Sequence, residues 1–129
     1  MASYTEATGL LPDFQVSYRL FSAEEGGRKT PHFQGIRWDF SYEDETVGKL
    51  RQVFLIWPEF VSDSGEMLPE DEPMPKQGLA DMFIVNPAFR TFHSQHIKVG
   101  VRGYFREGPH KIGLCEVIKI LALHQSPKL

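Results

Sequence analysis

The chain has 129 residues, the usual length of a single domain. Hydrophobic residues make up 41% of it and charged residues 24%, a balance that excludes a wholly disordered or collagen-like polymer. The 14 basic and 17 acidic side chains give a net charge of -3, which disfavours general binding of polyanions but leaves room for a local basic face.

Alternating apolar and polar residues predict short β-strands along most of the chain. The clearest pattern places Phe14, Val16 and Tyr18 on one face, with polar residues between them. A run that is apolar on both faces and ends at Pro58 is typical of a short buried strand. In chain order, the predicted strands cover residues 14–20, 36–42, 53–57, 79–85, 97–105 and 112–123.

Turn residues separate these strands. Gly26 and Gly27 close the first connection, and Gly108-Pro109 closes the last. Residues 62–78 are rich in proline and acidic side chains, which predicts a long, mobile surface loop.

Several short strands with turns between them predict an all-β fold, either a closed barrel or a sandwich. Closure would remove the exposed edges that such apolar strands otherwise offer to other chains. No amphipathic helix of useful length is predicted. We expect residues 13–124 to form a single β-barrel domain, with residues 1–12 and 125–129 as tails.

The single cysteine, Cys115, excludes an internal disulfide and fits a reducing compartment. No apolar run reaches the ~20 residues needed to span a membrane, and the N-terminus lacks the apolar core of a signal peptide. We therefore expect a cytoplasmic location without membrane association.

The sequence lacks the usual motifs for nucleotide binding. Residues 27–30 (Gly-Arg-Lys-Thr) resemble the end of a phosphate-binding loop, but the first glycine of that motif is missing at the required spacing. No glycine-rich dinucleotide motif opens a helix. We expect neither a bound nucleotide nor a cofactor.

The residues that most often carry metals or catalysis give weak signals here. His93 and His96 are three apart, which places them on opposite faces of a strand, and a structural zinc site would lack thiolate ligands. Cys115 has no partner motif and is expected to be a buried, inert thiol. The acidic runs 43–45 and 70–72 are predicted to be solvated, whereas acid–base catalysis requires carboxylates in different environments. We therefore predict a protein that is not an enzyme.

Two segments of the chain resemble a known family. Residues 23–40 read AEEGGRKTPHFQGIRWDF, and residues 106–120 read REGPHKIGLCEVIKI. The first is similar to the opening of the C-terminal barrel, the third domain, of translation elongation factor Tu, and the second to the closing hairpin of that barrel. Residues 75–87 resemble its middle strand, so the resemblance spans residues 13–123.

This resemblance implies a small closed antiparallel, Greek-key-like barrel of about six strands with no catalytic role. In the family, the barrel packs on its neighbouring domains and touches the T-stem of aminoacyl-tRNA. Arg28 and Lys29 match the family's basic pair near the tRNA backbone. Glu107 and Gly108 match the turn that approaches the T-stem. The resemblance thus makes these four residues the candidates for nucleic-acid binding.

Departures from the family pattern weaken the expectation of tRNA binding. Pro109 replaces a glycine of the family and lacks a backbone N–H donor. Asp39 and the acidic run 43–45 place carboxylates where the family has neutral or basic contacts, and carboxylates repel phosphate. The sequence alone therefore favours a different partner.

Our first hypothesis is a stand-alone, non-catalytic barrel that binds a protein partner, such as a translation component. The alternative is a weak tRNA- or RNA-binding module. Carboxylates interleaved with the cations would favour the protein partner. A third possibility, an enzyme, would require a concave pocket with a perturbed titratable group. The RNA hypothesis predicts that five cations converge on one face: Arg28, Lys29, Arg37, Arg106 and Lys111.

Overall fold

The computed structural model describes residues 3–50 and 52–125, and most of them lie in or beside one antiparallel β-sheet. Two short α-helices, α1 (Tyr4–Thr8) and α2 (Arg90–His96), and a 3-10 helix at Pro87–Phe89 flank it. The all-β prediction is therefore confirmed. The six strands are β1 (Phe14–Leu20), β2 (Asp39–Tyr42), β3 (Ile56–Val61), β4 (Gln77–Ile84), β5 (Arg102–Glu107) and β6 (His110–Ile120).

The order of the strands across the sheet is β2-β5-β6-β1-β4-β3, so β2 and β3 form its two edges. Within the described residues, these edges are linked by a single bridge between Phe40 and Phe54, whose two N···O distances are 2.9 and 2.7 Å. The sheet curls into a half-barrel that does not close. The prediction of a closed barrel is therefore wrong, while the six antiparallel strands are confirmed.

The outer edge of β3 is occupied by a side chain and a loop instead of β2. The amide of the buried Gln34 accepts a hydrogen bond from the Phe60 nitrogen at 2.8 Å and donates one to the Phe60 oxygen at 2.7 Å. The backbone nitrogen of Leu68 also donates to the Phe60 oxygen at 3.0 Å, and Val61 forms a bridge with Met67. Because these groups already pair with the edge of β3 at Phe60 and Val61, β2 cannot pair with β3 there.

The inner face of the sheet carries an aromatic core. Phe14, Val16 and Tyr18 of β1 are all buried, as their alternation predicted. The Tyr18 ring lies 5.3 Å from the Phe60 ring and 5.7 Å from the Phe105 ring. Strands on both sides of β1 therefore contribute to one core, which the curl of the sheet brings together.

Every strand except β1 differs from its predicted bounds, and three of the differences have a visible cause. β2 begins at Asp39 because its pairing with β5 starts at Arg106, next to the hairpin turn. β3 continues through Pro58, which is tolerated because alternate N–H groups of an edge strand point away from the sheet. The strand predicted from residue 97 begins later, after a turn in which Val101 donates to the Lys98 oxygen at 3.0 Å.

The N-terminal segment predicted to be a tail contains α1, which packs on the face of the sheet opposite the core. The ring of Tyr4 lies 5.9 Å from Trp57 and 5.3 Å from Phe83. The Tyr4 nitrogen donates a hydrogen bond to the Glu59 carboxylate at 3.2 Å. These contacts join the helix to β3 and β4. Residues 1–2 and 126–129, the remaining parts of the predicted tails, lie outside the described residues.

A buried ion pair joins the start of β1 to α2 and to the segment after β6. Arg90 Nη2 lies 2.6 Å from Asp13 Oδ1 and also donates to the backbone oxygens of Ala122 and Leu123, each at 3.2 Å. The second oxygen of Asp13 accepts a hydrogen bond from the Ile84 nitrogen at 2.8 Å. One carboxylate thus holds three parts of the chain against each other.

The acidic, proline-rich segment 62–78 lies on the surface but is attached at both ends. The backbone nitrogen of Leu68 donates to the Phe60 oxygen of β3 at 3.0 Å, and the nitrogen of the buried Met74 donates to the His32 oxygen at 2.9 Å. Residues 69–73, between these anchors, are exposed.

Of the helices in the described part of the chain, none has the length and apolar character to cross a membrane.

Candidate functional site

The two turns that the resemblance singled out lie at the same end of the sheet. Arg28, in the connection after β1, forms an ion pair with Glu107 at the tip of the β5–β6 hairpin. These residues are 79 apart in the sequence. The structure therefore brings Arg28 and Glu107 into contact, with Lys29 exposed beside Arg28 and Gly108 in the hairpin turn.

Glycines make this arrangement sterically accessible. A Cβ at Gly27 would lie 2.1 Å from the backbone oxygen of Phe21, so the connection after β1 can fold this tightly only with glycine. Gly108 has a φ of 57°, in the left-handed region that glycine enters readily. Pro109 follows it and fits the turn because the β5–β6 pairing includes no bond from its nitrogen.

Arg28 is held mainly by contacts within the protein. Besides Glu107, it donates to the Thr30 backbone oxygen at 3.3 Å and to the Thr30 hydroxyl at 3.0 Å. The Glu107 oxygen that accepts from Arg28 also accepts from the indole nitrogen of Trp38 at 3.0 Å. Arg28 and Glu107 therefore stabilise the local fold, and Trp38, only 2% exposed, is part of the core.

A cleft of about 390 Å³ opens next to this network. Its floor is apolar and is formed chiefly by Leu20, Trp38, Met74 and Ile112. Three of these side chains are buried, and Leu20 is partly buried against the same core. The cleft is thus a shallow extension of the hydrophobic core to the surface.

Among the described residues that line the cleft, the charged ones are all cations: Arg28, Lys29 and Lys76. Lys29 and Lys76 are exposed, and neither forms an ion pair within residues 3–50 and 52–125. Lys76 reaches the rim because Leu20 donates a backbone hydrogen bond to its oxygen at 2.8 Å. The rim is therefore positive in a chain whose net charge is -3.

His32 forms part of the cleft wall. It is 3% exposed, and its ring lies 4.8 Å from the Trp38 ring and 5.0 Å from the Phe60 ring. Burial, with the Arg28 guanidinium nearby, lowers the pKa of His32 from 6.5 to about 4. Its Nε2 atom has no hydrogen-bond partner among the described residues. His32 is therefore a neutral wall residue at pH 7.

The other cations are distributed among carboxylates. Arg106 and Lys111 line a second cavity of about 310 Å³ together with Glu45. Asp39 is the strand partner of Arg106. The Arg37 guanidinium lies elsewhere, 4.6 Å from the centre of the Trp57 ring. The five cations considered in the sequence therefore do not share one face.

Two further residues with reactive side chains, His93 and Cys115, lie in the core. The His93 Nδ1 atom and the Tyr42 hydroxyl are 2.7 Å apart, and burial, with a contribution from His96, lowers the pKa of His93 to about 4. Burial raises the pKa of Cys115 well above its usual range. Across residues 3–50 and 52–125, no group of three or more His, Cys, Asp or Glu side chains is placed to hold a metal ion.

Sequence reasoning identified Arg28 and Lys29 but missed Lys76 and Met74, which also line the cleft. Both were assigned to the acidic surface loop. The available signal was an apolar residue between two prolines, followed by a cation, at the end of an otherwise acidic segment. That signal indicates an anchored segment, but it does not say which part of the sheet the segment contacts.

Comparison with known proteins does not assign the chain to a family. No family model matches it, and no curated protein matches it. The interpretation based on elongation factor Tu therefore rests on the motifs in residues 23–40 and 106–120.

Proposed function

We propose that this chain is a non-catalytic binding module whose cleft docks a protein partner. The observation that carries the proposal is an apolar floor, including Met74 and Ile112, below the exposed Lys29 and Lys76. A concave apolar surface with a few placed charged groups is the usual form of a binding site. The motif resemblance extends the proposal to a half-barrel module related to the C-terminal domain of elongation factor Tu and to a translation component of the cytoplasm as the partner.

The distribution of charge supports a protein partner over RNA. Carboxylates stand among the cations outside the cleft: Asp39 pairs across the sheet with Arg106, and Glu43 lies 3.3 Å from Arg102. An RNA backbone carries one negative charge at every nucleotide and would meet these carboxylates along its path. A protein partner can present charges of both signs.

The burial of His93 and Cys115 supports a role without catalysis. His93 is 1% exposed and Cys115 is 1% exposed, so neither contacts a substrate at the surface. His32 lines the cleft, but its pKa of about 4 keeps it neutral and poorly basic near pH 7. The cleft thus offers contact surface and charge instead of a general base.

Site-specific photo-cross-linking tests the proposal. The exposed Ala23 lines the cleft, and p-benzoylphenylalanine incorporated in its place reacts with whatever docks there. Ile118 is 39% exposed on β6 and does not line the cleft, which makes it a matched control position. We expect a defined protein adduct from position 23 and none from position 118.

Reconstitution then separates a true partner from a chance neighbour. The protein identified from position 23 is purified and titrated against the unlabelled chain. Saturable binding that competes with the cross-link supports the proposal. Equal adducts from both positions, an adduct made only with RNA, or no adduct at position 23 would overturn it.

A further inference from the structure

We infer that the cleft recognises an acidic segment of its partner, in which a carboxylate stands beside an apolar anchor side chain. This inference rests on the proposed function and specifies the chemistry of the partner. The inference follows from the size of the cleft, the charge of its rim and the burial of Trp38.

The size of the cleft suits a short segment. Its volume of about 390 Å³ lies at the small end of the ~300–1,000 Å³ range of ligand sites. Leu20, Met74 and Ile112 provide aliphatic and thioether surface, which packs against an apolar side chain of almost any shape. The floor therefore takes one anchor residue rather than the whole face of a helix.

The rim selects the charge of the residue beside that anchor. Lys29 lies in the connection after β1 and Lys76 in the connection before β4, and both are exposed. Arg28 is already paired with Glu107, so the two lysines supply the uncompensated charge within the described lining. A carboxylate that reaches the rim accepts charge-assisted hydrogen bonds, whereas a cation is repelled.

The surroundings of the cleft disfavour a nucleic acid as the occupant. Trp38 is 2% exposed and its indole nitrogen is bonded to Glu107, so it presents no face on which a base can stack. The acidic run 70–72 directly precedes Pro73, which lines the cleft. A short peptide can bind at the cleft and its rim alone, while a longer polyanion would also lie against these carboxylates and be repelled by them.

Peptide selection on the immobilised full chain tests the inference. Three heptapeptide libraries differ only at the central position, which is Asp or Glu, Asn or Gln, or Lys or Arg, with all other positions randomised. We expect selection from the acidic library, with apolar residues enriched next to the centre. The best peptide, labelled and followed by fluorescence anisotropy, should bind about tenfold tighter than its amide counterpart.

Charge reversal links the selection to the cleft. The double variant Lys29→Glu with Lys76→Glu should weaken the acidic peptide by about tenfold or more, since attraction becomes repulsion. The control variant Lys98→Glu with Lys119→Glu makes the same change in net charge at two exposed positions outside the cleft. It should bind like the original protein.

Each contrary result has a distinct meaning. Equal recovery from the three libraries, no selection at all, or equal weakening in both double variants would overturn the acidic-segment inference. A protein partner already cross-linked at position 23 would leave the proposed function standing in those cases. Salt-sensitive tRNA binding that is lost only in the Lys29→Glu, Lys76→Glu variant would overturn both in favour of an RNA site.

Discussion

The carboxylate of Glu107 accepts a hydrogen bond from the indole nitrogen of Trp38 across 3.0 Å, joining residues 69 apart in the sequence. The same oxygen accepts from Arg28. One side chain at the tip of the β5–β6 hairpin therefore fixes the tryptophan that forms part of the cleft floor and the arginine at its rim. The shape of the cleft depends on this contact.

The change Glu107→Ala should destabilise the protein because it leaves the buried indole nitrogen of Trp38 without its acceptor. Since the Glu107 side chain is 35% exposed, we expect a loss of about 1–2 kcal/mol in the free energy of unfolding. Glu107→Gln keeps an acceptor oxygen and should lose less. Urea denaturation measures both, and an equal loss in the two variants would contradict the role assigned to the indole bond.

Gln34 should be replaceable only by a residue that both donates and accepts. In Gln34→Glu, the carboxylate can still accept from the Phe60 nitrogen, but it faces the backbone oxygens of Phe60 and Leu68 without a donor. We expect a loss of about 1–3 kcal/mol in urea denaturation. Gln95→Glu, at an exposed position of α2, is the matched control and should be nearly neutral. A neutral result for Gln34→Glu would show that its amide does not stabilise the edge of β3.

Asp13→Asn should be the most damaging of these substitutions. It keeps the shape of the side chain but leaves the Arg90 guanidinium, 16% exposed, without its negative partner. Breaking a buried ion pair from one side costs about 3–5 kcal/mol, which we expect to find as a lowered midpoint of urea unfolding. Asp63→Asn, an exposed site, controls for the change in net charge. Similar midpoints for the two variants would refute the importance of the pair.

Acid should destabilise the protein through its buried histidines. In the native protein the pKa values of His32 and His93 are lowered to about 4, whereas in the unfolded chain both have the ordinary pKa of 6.5. Between these values the unfolded chain binds more protons, so the free energy of unfolding falls as pH decreases from 6.5 towards 4. Glu59 and Asp81, whose pKa values burial raises, act in the opposite direction.

The variant His32→Phe isolates one of these contributions. It removes a titrating group but keeps a ring between Trp38 and Phe60. Urea denaturation at pH 7 and pH 4.5 should show a smaller fall in stability than for the original protein. His110→Phe, at an exposed position, serves as the control. An unchanged fall for His32→Phe would mean that His32 does not contribute to acid sensitivity.

Local patterns predicted much of the secondary structure. Alternation in β1 was enough to predict a strand whose Phe14, Val16 and Tyr18 are buried, because side chains of a strand alternate between its faces. The glycines at 26 and 27 predicted the tight turn after that strand. Cys115 was expected to be a buried thiol, and it is 1% exposed.

Two of the failures involve contacts between distant residues. Closure of the barrel depended on whether the edge of β3 was vacant, and Gln34 and Leu68 occupy it. The sequence shows Gln34 only as a polar residue in a connection. The sequence predicts that a strand ends at Pro58, because the position of this proline at an edge of the sheet is not visible in the sequence.

The sequence by itself therefore determined the all-β class, the faces of the strands and the turns, since each of these depends on neighbours within a few residues. The tertiary structure decided how the edges of the sheet are occupied, and it placed Lys29 and Lys76 around one apolar floor. Those arrangements depend on the strand order β2-β5-β6-β1-β4-β3, in which most paired strands are far apart in the chain. Periodicity carries no information about that order, because every strand of this sheet has an apolar face that can pack against any other.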